Sequence, residues 1–208
     1  MKVYSLLILL CFLETLICDV EGLNESLLHK TFNSSIHYLK AFHPDPFYVV
    51  LKSSNILSNL RLDYADLNSK NVEFKLDEFG MLHVKYINLK LNLKGQYPST
   101  YRRYYKFYSS FTAELANGNM EQIYGIKYQK LENGKNDIKF GHISDSEVLF
   151  SGIKLISSKI VSGSNTEKSI KSLIANLDFT PLKLHLQKVT NVVLDKISSN
   201  LKLKMFNI

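Results

Sequence analysis

The run LKLHLQKVTNVVLDKISSNL, Leu182 to Leu201, decides the architecture. Its apolar residues Leu182, Leu186, Val189, Val193, Ile197 and Leu201 stand 4, 3, 4, 4 and 4 apart. That spacing is the period of an α-helix with one continuous apolar face. Twenty residues at ~1.5 Å each make a helix of about 30 Å. Pro181 stands where a helix starts, since its missing N–H is one of the unsatisfied donors there. The pattern predicts a closing helix from Leu182 to about Met205. A face this long needs an equally long partner to cover it.

Strands supply that partner. Val72, Phe74 and Leu76 alternate, and Asp77-Glu-Phe-Gly80 reads as a hairpin turn. The return strand carries Leu82, Val84 and Tyr86, then changes phase to Ile87, Leu89, Leu91 and Leu93 before Gly95. A phase change in a period-2 pattern predicts a bulge near Tyr86–Ile87. Met81 to Lys94 would span roughly 45 Å at ~3.3 Å per residue, against ~5–6 residues for an ordinary strand. Length plus a bulge predicts a strongly bent sheet. Tyr105, Phe107, Ser109, Phe111, Ala113 and Leu115 alternate next, and Asn117-Gly118 reads as a two-residue turn. Met120–Leu131, a second turn at Asn133-Gly134, a strand with Ile138, Phe140 and His142, and another over Val148–Ile156 complete an antiparallel meander. Val49–Asn68 fits either a short helix around Ile56–Leu60 or a strand around Leu60–Tyr64. Ser162-Gly-Ser-Asn165 breaks the chain before a shorter helical stripe of Ile170, Leu173, Ile174 and Leu177.

Leu27, Leu28, Phe32, Ile36 and Leu39 give one apolar helical face from about Asn24 to Ala41, stopped by Pro44 and Pro46. Ahead of it, Met1–Lys2 and the apolar run Val3–Leu13 have the length of a signal-peptide core. A bilayer span needs ~20 apolar residues, and Glu14 interrupts this one. The expectation is a signal peptide over residues 1–22, cleaved after Cys18 or Gly22, and a single domain over 23–208. An uncleaved anchor is the alternative that Glu14 disfavours. Cys11 and Cys18 are the two cysteines, so the secreted chain would carry no disulfide and be held by its core alone. Sequons at Asn24 and Asn33 fit an extracellular location.

The net charge of +7 comes mostly from lysine, with arginine only at 61, 102 and 103. That argues against a nucleic-acid partner, which favours clustered arginine, and allows weak attraction to anionic membranes. Tyr97–Tyr108 holds five tyrosines and three cations. It reads as a hairpin end, with an interfacial membrane contact as the functional alternative. No nucleophile elbow, phosphate loop or paired metal motif stands in the sequence, so neither an enzyme nor a cofactor is expected. His29 and His37 share a helical face without a third ligand. Gly141-His-Ile-Ser-Asp145 sets its polar side chains on opposite faces of a strand.

The opening helix, the Pro44–Phe47 loop, the hairpin Val72–Tyr86, Gly95 with its aromatic strand, and the closing helix follow one order. In that order the chain resembles a single domain of the tubular lipid-binding superfamily. This includes the bactericidal/permeability-increasing and lipopolysaccharide-binding proteins, the insect takeout and juvenile-hormone-binding proteins, and the group 7 mite allergens. The resemblance covers roughly Leu23–Phe206. It implies an α+β fold, with a highly curved antiparallel sheet wrapped around a long C-terminal helix and an apolar groove between them. Many such proteins carry a disulfide, which this chain lacks, so an innate-defence role is less supported than an arthropod carrier-like one.

The expected function is sequestration of a lipid or other apolar small molecule in that groove. The lining residues are Leu28, Phe32 and Ile36 on the opening helix, and Leu89, Leu91, Phe107, Phe111 and Leu115 on the sheet. Leu186, Val189, Val193 and Ile197 complete it on the closing helix. The alternative is an interaction module of the same fold with a filled groove, acting at membranes or other proteins.

Overall fold

The computed structural model describes residues 25–43, 45–102, 105–130, 136–156, 160 and 162–204. The segment expected to be a signal peptide, both cysteines, Asn24 and the expected turn at Asn133-Gly134 lie outside the described residues. Helix α1 (Glu25–Phe42) buries Leu28, Phe32, Ile36 and Leu39 on one face. It ends where the prolines forbid another turn, with the His43 amide donating to the Leu39 carbonyl at 2.7 Å. A single 3₁₀ turn (Asp45–Phe47) leads into β1 (Tyr48–Val50), which pairs with β2 (Ser58–Asp66). The strand reading of the ambiguous segment therefore prevails. Leu60 and Leu62 are buried two residues apart, and β4 offers β2 an edge to pair with.

Strands β3 (Val72–Leu76) and β4 (Met81–Arg102) form the expected hairpin. Its turn is held by Asp77, whose Oδ1 accepts from the amides of Phe79 (2.9 Å) and Met81 (2.8 Å). Gly80 takes the φ of +73° that the turn needs. β4 is longer than its alternating core suggested, because it continues past Gly95 to Arg102. It pairs along its length with β5 (Tyr105–Lys130), 26 residues without a break.

The unbroken β5 corrects the reading of Asn117-Gly118 as a turn. A two-residue turn of that type needs positive φ at both central residues. Only Asn117 has it (φ +54°), while Gly118 stays in the ladder opposite Leu89. One left-handed residue makes a bulge, not a reversal. Across the ladder, Asn88 (φ +50°) makes the matching bulge in β4, where the phase change predicts one. The Asn88 amide donates to Asn119 Oδ1 at 3.3 Å across this paired bend.

The edge strands break at the same level. β2 runs along Lys90–Gln96 of β4 and β3 along Leu82–Tyr86, so the two lie end to end with the break at Leu67–Asn71. On the opposite edge, β6 (Asn136–Asp145) runs along Gln122–Lys130 of β5 and β7 (Leu149–Ile156) along Thr112–Asn119. This corrects the simple meander. The predicted strands around Ile138–His142 and over Val148–Ile156 are two pieces of one line, interrupted at residues 146–148. There the Ser146 amide donates to the Glu121 carbonyl, and the Glu121 amide donates to Ser146 Oγ, each at 2.8 Å. The result is a transverse fold line through the sheet, which curls around the helices.

Two helices complete the chain. α2 (Asn165–Ala175) is capped by Ser164, whose hydroxyl accepts from the Glu167 amide. α3 (Thr180–Lys204) has 25 residues, about 37 Å at ~1.5 Å per residue. α1 docks on the β2/β3 break, where Lys40 Nζ donates to the Leu67 carbonyl at 3.3 Å and Asn33 Oδ1 accepts from the Ser69 amide at 3.1 Å. One continuous core joins α1, the concave face of the sheet, α2 and α3. The expected α+β architecture, a curled antiparallel sheet around a long C-terminal helix, is the observed one.

Candidate functional site

Eleven of the twelve predicted lining residues meet in this core. Leu28, Phe32 and Ile36 come from α1, Leu89 and Leu91 from β4, and Phe111 and Leu115 from β5. Leu186, Val189, Val193 and Ile197 come from α3, and all eleven are buried. They fill the space between sheet and helices by packing on one another. Phe107 departs from the expectation. It continues the inward phase of Ser109 and Phe111, yet it is 51% exposed, as is Tyr108 on the opposite face.

The open space lies to one side of that stripe. A pocket of about 490 Å³ sits where the end of α1 and the first half of α3 meet the 3₁₀ turn. Leu39, Phe42, Pro46, Val189 and Val192 give it an apolar wall, and His43, Asp45, His185 and Lys188 a polar rim. Val189 belongs both to the pocket and to the enclosed core stripe. The sequence carries a signal for the remainder of the pocket beside the apolar stripe. His185, Lys188, Val189 and Val192 are a second helical row flanking the apolar stripe, and Pro46 folds back onto it. His185 fixes the corner. Its Nε2 donates to the Pro46 carbonyl, its ring stacks on Tyr64 at 5.5 Å, and burial lowers its pKa below the usual imidazole value. It is therefore a neutral donor at physiological pH. A smaller recess of about 280 Å³ lies between the start of β7 and the α2–α3 junction, lined by Val148, Leu177 and Phe179 among others.

A buried polar chain crosses the interior beside the stripe. The Tyr86 hydroxyl lies 2.7 Å from Thr190 Oγ1, which in turn has Gln122 Oε1 at 2.8 Å and the Leu186 carbonyl at 3.0 Å. Tyr124 donates to Gln122 Oε1 at 3.3 Å, and Gln122 Nε2 donates to Asp145 Oδ1 at 3.1 Å. His142 Nε2 is 2.9 Å from the same Asp145 oxygen. The alternation expected of Gly141–Asp145 fails here, because a register shift at Ile143 lets His142 and Asp145 meet, and the pair is the outer end of a structural tether between sheet and helix. Burial raises the pKa of both Tyr86 and Tyr124, so both stay protonated. Among the described residues no group of three or more metal-ligating side chains comes together. Asn33 is exposed on α1, with its Oδ1 bonded to Ser69.

No family model matches the chain, and no curated protein is found similar to it. Among solved structures it is similar to lipopolysaccharide-binding protein, at 15% identity and a TM-score of 0.44, over 89% of this chain and 38% of that one. It is also similar to takeout 1 of Epiphyas postvittana, at 13% identity and a TM-score of 0.40, over 89% of this chain and 93% of that one. The chain therefore spans well under half of the first and nearly all of the second. Both are of kinds that the sequence resembles. The likeness is one of fold.

Proposed function

We propose that this chain is a secreted, non-enzymatic carrier that sequesters a lipid-like or other apolar small molecule, admitted through the pocket between α1 and α3. The observation that supports this reading is the position of the pocket. An opening of about 490 Å³ falls within the ~300–1,000 Å³ of ligand sites. It shares Val189 with an apolar interior enclosed by a curled sheet and a long helix. Each methylene moved from water into such surroundings contributes ~0.8 kcal/mol, less the cost of ordering the ligand. The leader segment and the sequons at Asn24 and Asn33 favour secretion and glycosylation.

Two adjacent valines test the reading. Val192 is 38% exposed on the pocket wall, whereas Val193 is fully enclosed. Val192→Phe should fill the pocket, keep the thermal midpoint and weaken binding of N-phenyl-1-naphthylamine, a fluorescent apolar probe. Val193→Phe should overpack the core and cost ~1–3 kcal/mol of stability. Mass spectrometry of organic extracts should recover a recurring apolar species from wild-type protein. Wild-type protein that is repeatedly empty and binds no probe would instead favour an interaction module with a filled interior.

A further inference from the structure

The pocket between α1 and α3 opens beside a row of exposed side chains. Leu184, Lys188, Val192 and Lys196 stand four apart, so they form one ridge along α3. Leu184, Lys188 and Val192 are exposed. Lys196 Nζ stands over the Tyr38 ring, 4.9 Å from its centre. Tyr38 in turn meets Phe42, one turn further along α1, at 5.0 Å. Phe42 is 67% exposed and still lines the pocket together with Lys188 and Val192. Four large apolar side chains, Tyr38, Phe42, Leu184 and Val192, thus face water beside one opening, with lysines set between them. An exposed apolar cluster with a polar rim marks a surface that meets something else.

We propose that this face of α1 and α3 docks on an anionic lipid bilayer. Charge selects the partner. α1 carries two lysines and α3 five, against one carboxylate in each, Glu25 and Asp195, and Asp45 adds a third at the pocket rim. A second copy of this chain would bring the same positive excess to the face and be repelled, whereas a layer of anionic headgroups is attracted. The alternation of lysine with apolar side chains suits the boundary of a bilayer. The ammonium groups of Lys188 and Lys196 reach the headgroups while their stems, Leu184, Val192 and the two rings lie against the acyl chains. Because the pocket opens in the docked face, a bound molecule passes between pocket and bilayer without crossing water. That hand-over rests on the carrier reading; the docking does not.

The test is co-sedimentation with vesicles of phosphatidylcholine alone and with roughly a third phosphatidylserine. Wild-type protein should prefer the anionic vesicles and bind them less in high salt. The double variant Tyr38→Gln/Leu184→Gln removes two exposed apolar side chains that do not line the pocket. It should weaken vesicle binding by roughly tenfold, keep the thermal midpoint, and hold the affinity for N-phenyl-1-naphthylamine within about twofold. Lys188→Gln/Lys196→Gln should weaken vesicle binding by roughly tenfold at low salt and by little at high salt. Wild-type protein that binds the probe but not the anionic vesicles would overturn the docking and leave the carrier reading standing. So would vesicle binding that survives both double variants and falls with Tyr108→Ser, which would put the contact at the hairpin end. A dimer dispersed by Tyr38→Gln/Leu184→Gln, without vesicle binding, would assign the face to a second copy instead. Vesicle binding that depends on these residues in a protein that binds no probe would keep the docking and remove the carrier reading.

Discussion

Replacing Thr190 by valine keeps the shape of the side chain and removes one oxygen from the buried polar chain. That oxygen lies 2.7 Å from the Tyr86 hydroxyl, 2.8 Å from Gln122 Oε1 and 3.0 Å from the Leu186 carbonyl. After the change Tyr86 keeps only the longer contact to the Leu186 carbonyl, 3.4 Å, and Gln122 Oε1 keeps the Tyr124 hydroxyl at 3.3 Å. Both partners are poorly matched and neither reaches water, so the cost should be ~1–3 kcal/mol. For a chain of this size ~1 kcal/mol moves the thermal midpoint by about 2–4 °C, which predicts a fall of about 2–12 °C. Tyr86→Phe should cost less, because Thr190 retains Gln122 and Leu186. The double variant should then lose less than the sum of the two, since the second change removes the group that the first left unmatched. Thermal unfolding of the four proteins measures this directly. A Thr190→Val midpoint equal to wild type, or strictly additive losses, would show that the polar chain does not tie α3 to the sheet.

Two other positions give separate readouts. A Cβ on Gly118 would fall 2.3 Å from Phe150 Cε1 and 3.0 Å from Leu89 Cβ. Gly118→Ala should therefore cost ~1–3 kcal/mol and be partly rescued by Phe150→Leu; an unchanged midpoint would mean that the bulge tolerates a side chain. His83 is held between Glu121 (2.9 Å from Nδ1) and Asp77 (3.1 Å from Nε2), and these carboxylates, Glu121 foremost, raise its pKa above the usual 6.5. Its contribution should be complete below pH ~6.5 and disappear as pH rises through the folded-state value. The wild type minus His83→Gln difference in midpoint should therefore shrink from pH 6 to pH 9, and a difference that grew with pH would reverse the assignment.

The helices were legible because each carries its information in one period. Leu28 to Leu39 and Leu182 to Ile197 repeat at helical spacing, and prolines mark where α1 ends and α3 begins. The interior lining followed from the same stripes. The pocket did not, because it belongs to the flank of α3 and becomes a site only when Pro46 returns to it across more than a hundred residues. Phe107 shows the opposite failure. Its phase along β5 matches that of Ser109 and Phe111, but phase reports which face a residue occupies and not how deeply it is buried.

The misread Asn117-Gly118 bears on the architecture as a whole. Asparagine tolerates the left-handed region, and a lone left-handed residue can reverse a chain or only bend it. The deciding factor is the partner strand. Asn88, with its own left-handed backbone, lies across the ladder and bends β4 at the same level. Two bulges in register let both long strands turn together without losing their pairing. The short strands then break where the central ribbon bends, at Leu67–Asn71 on one edge and at residues 146–148 on the other. α1 docks on the first break through Lys40 and Asn33, and the polar chain from Thr190 reaches Gln122 close to the second. The bend therefore sets where both helices attach. Their junction, held at that level, leaves the pocket open along the first half of α3.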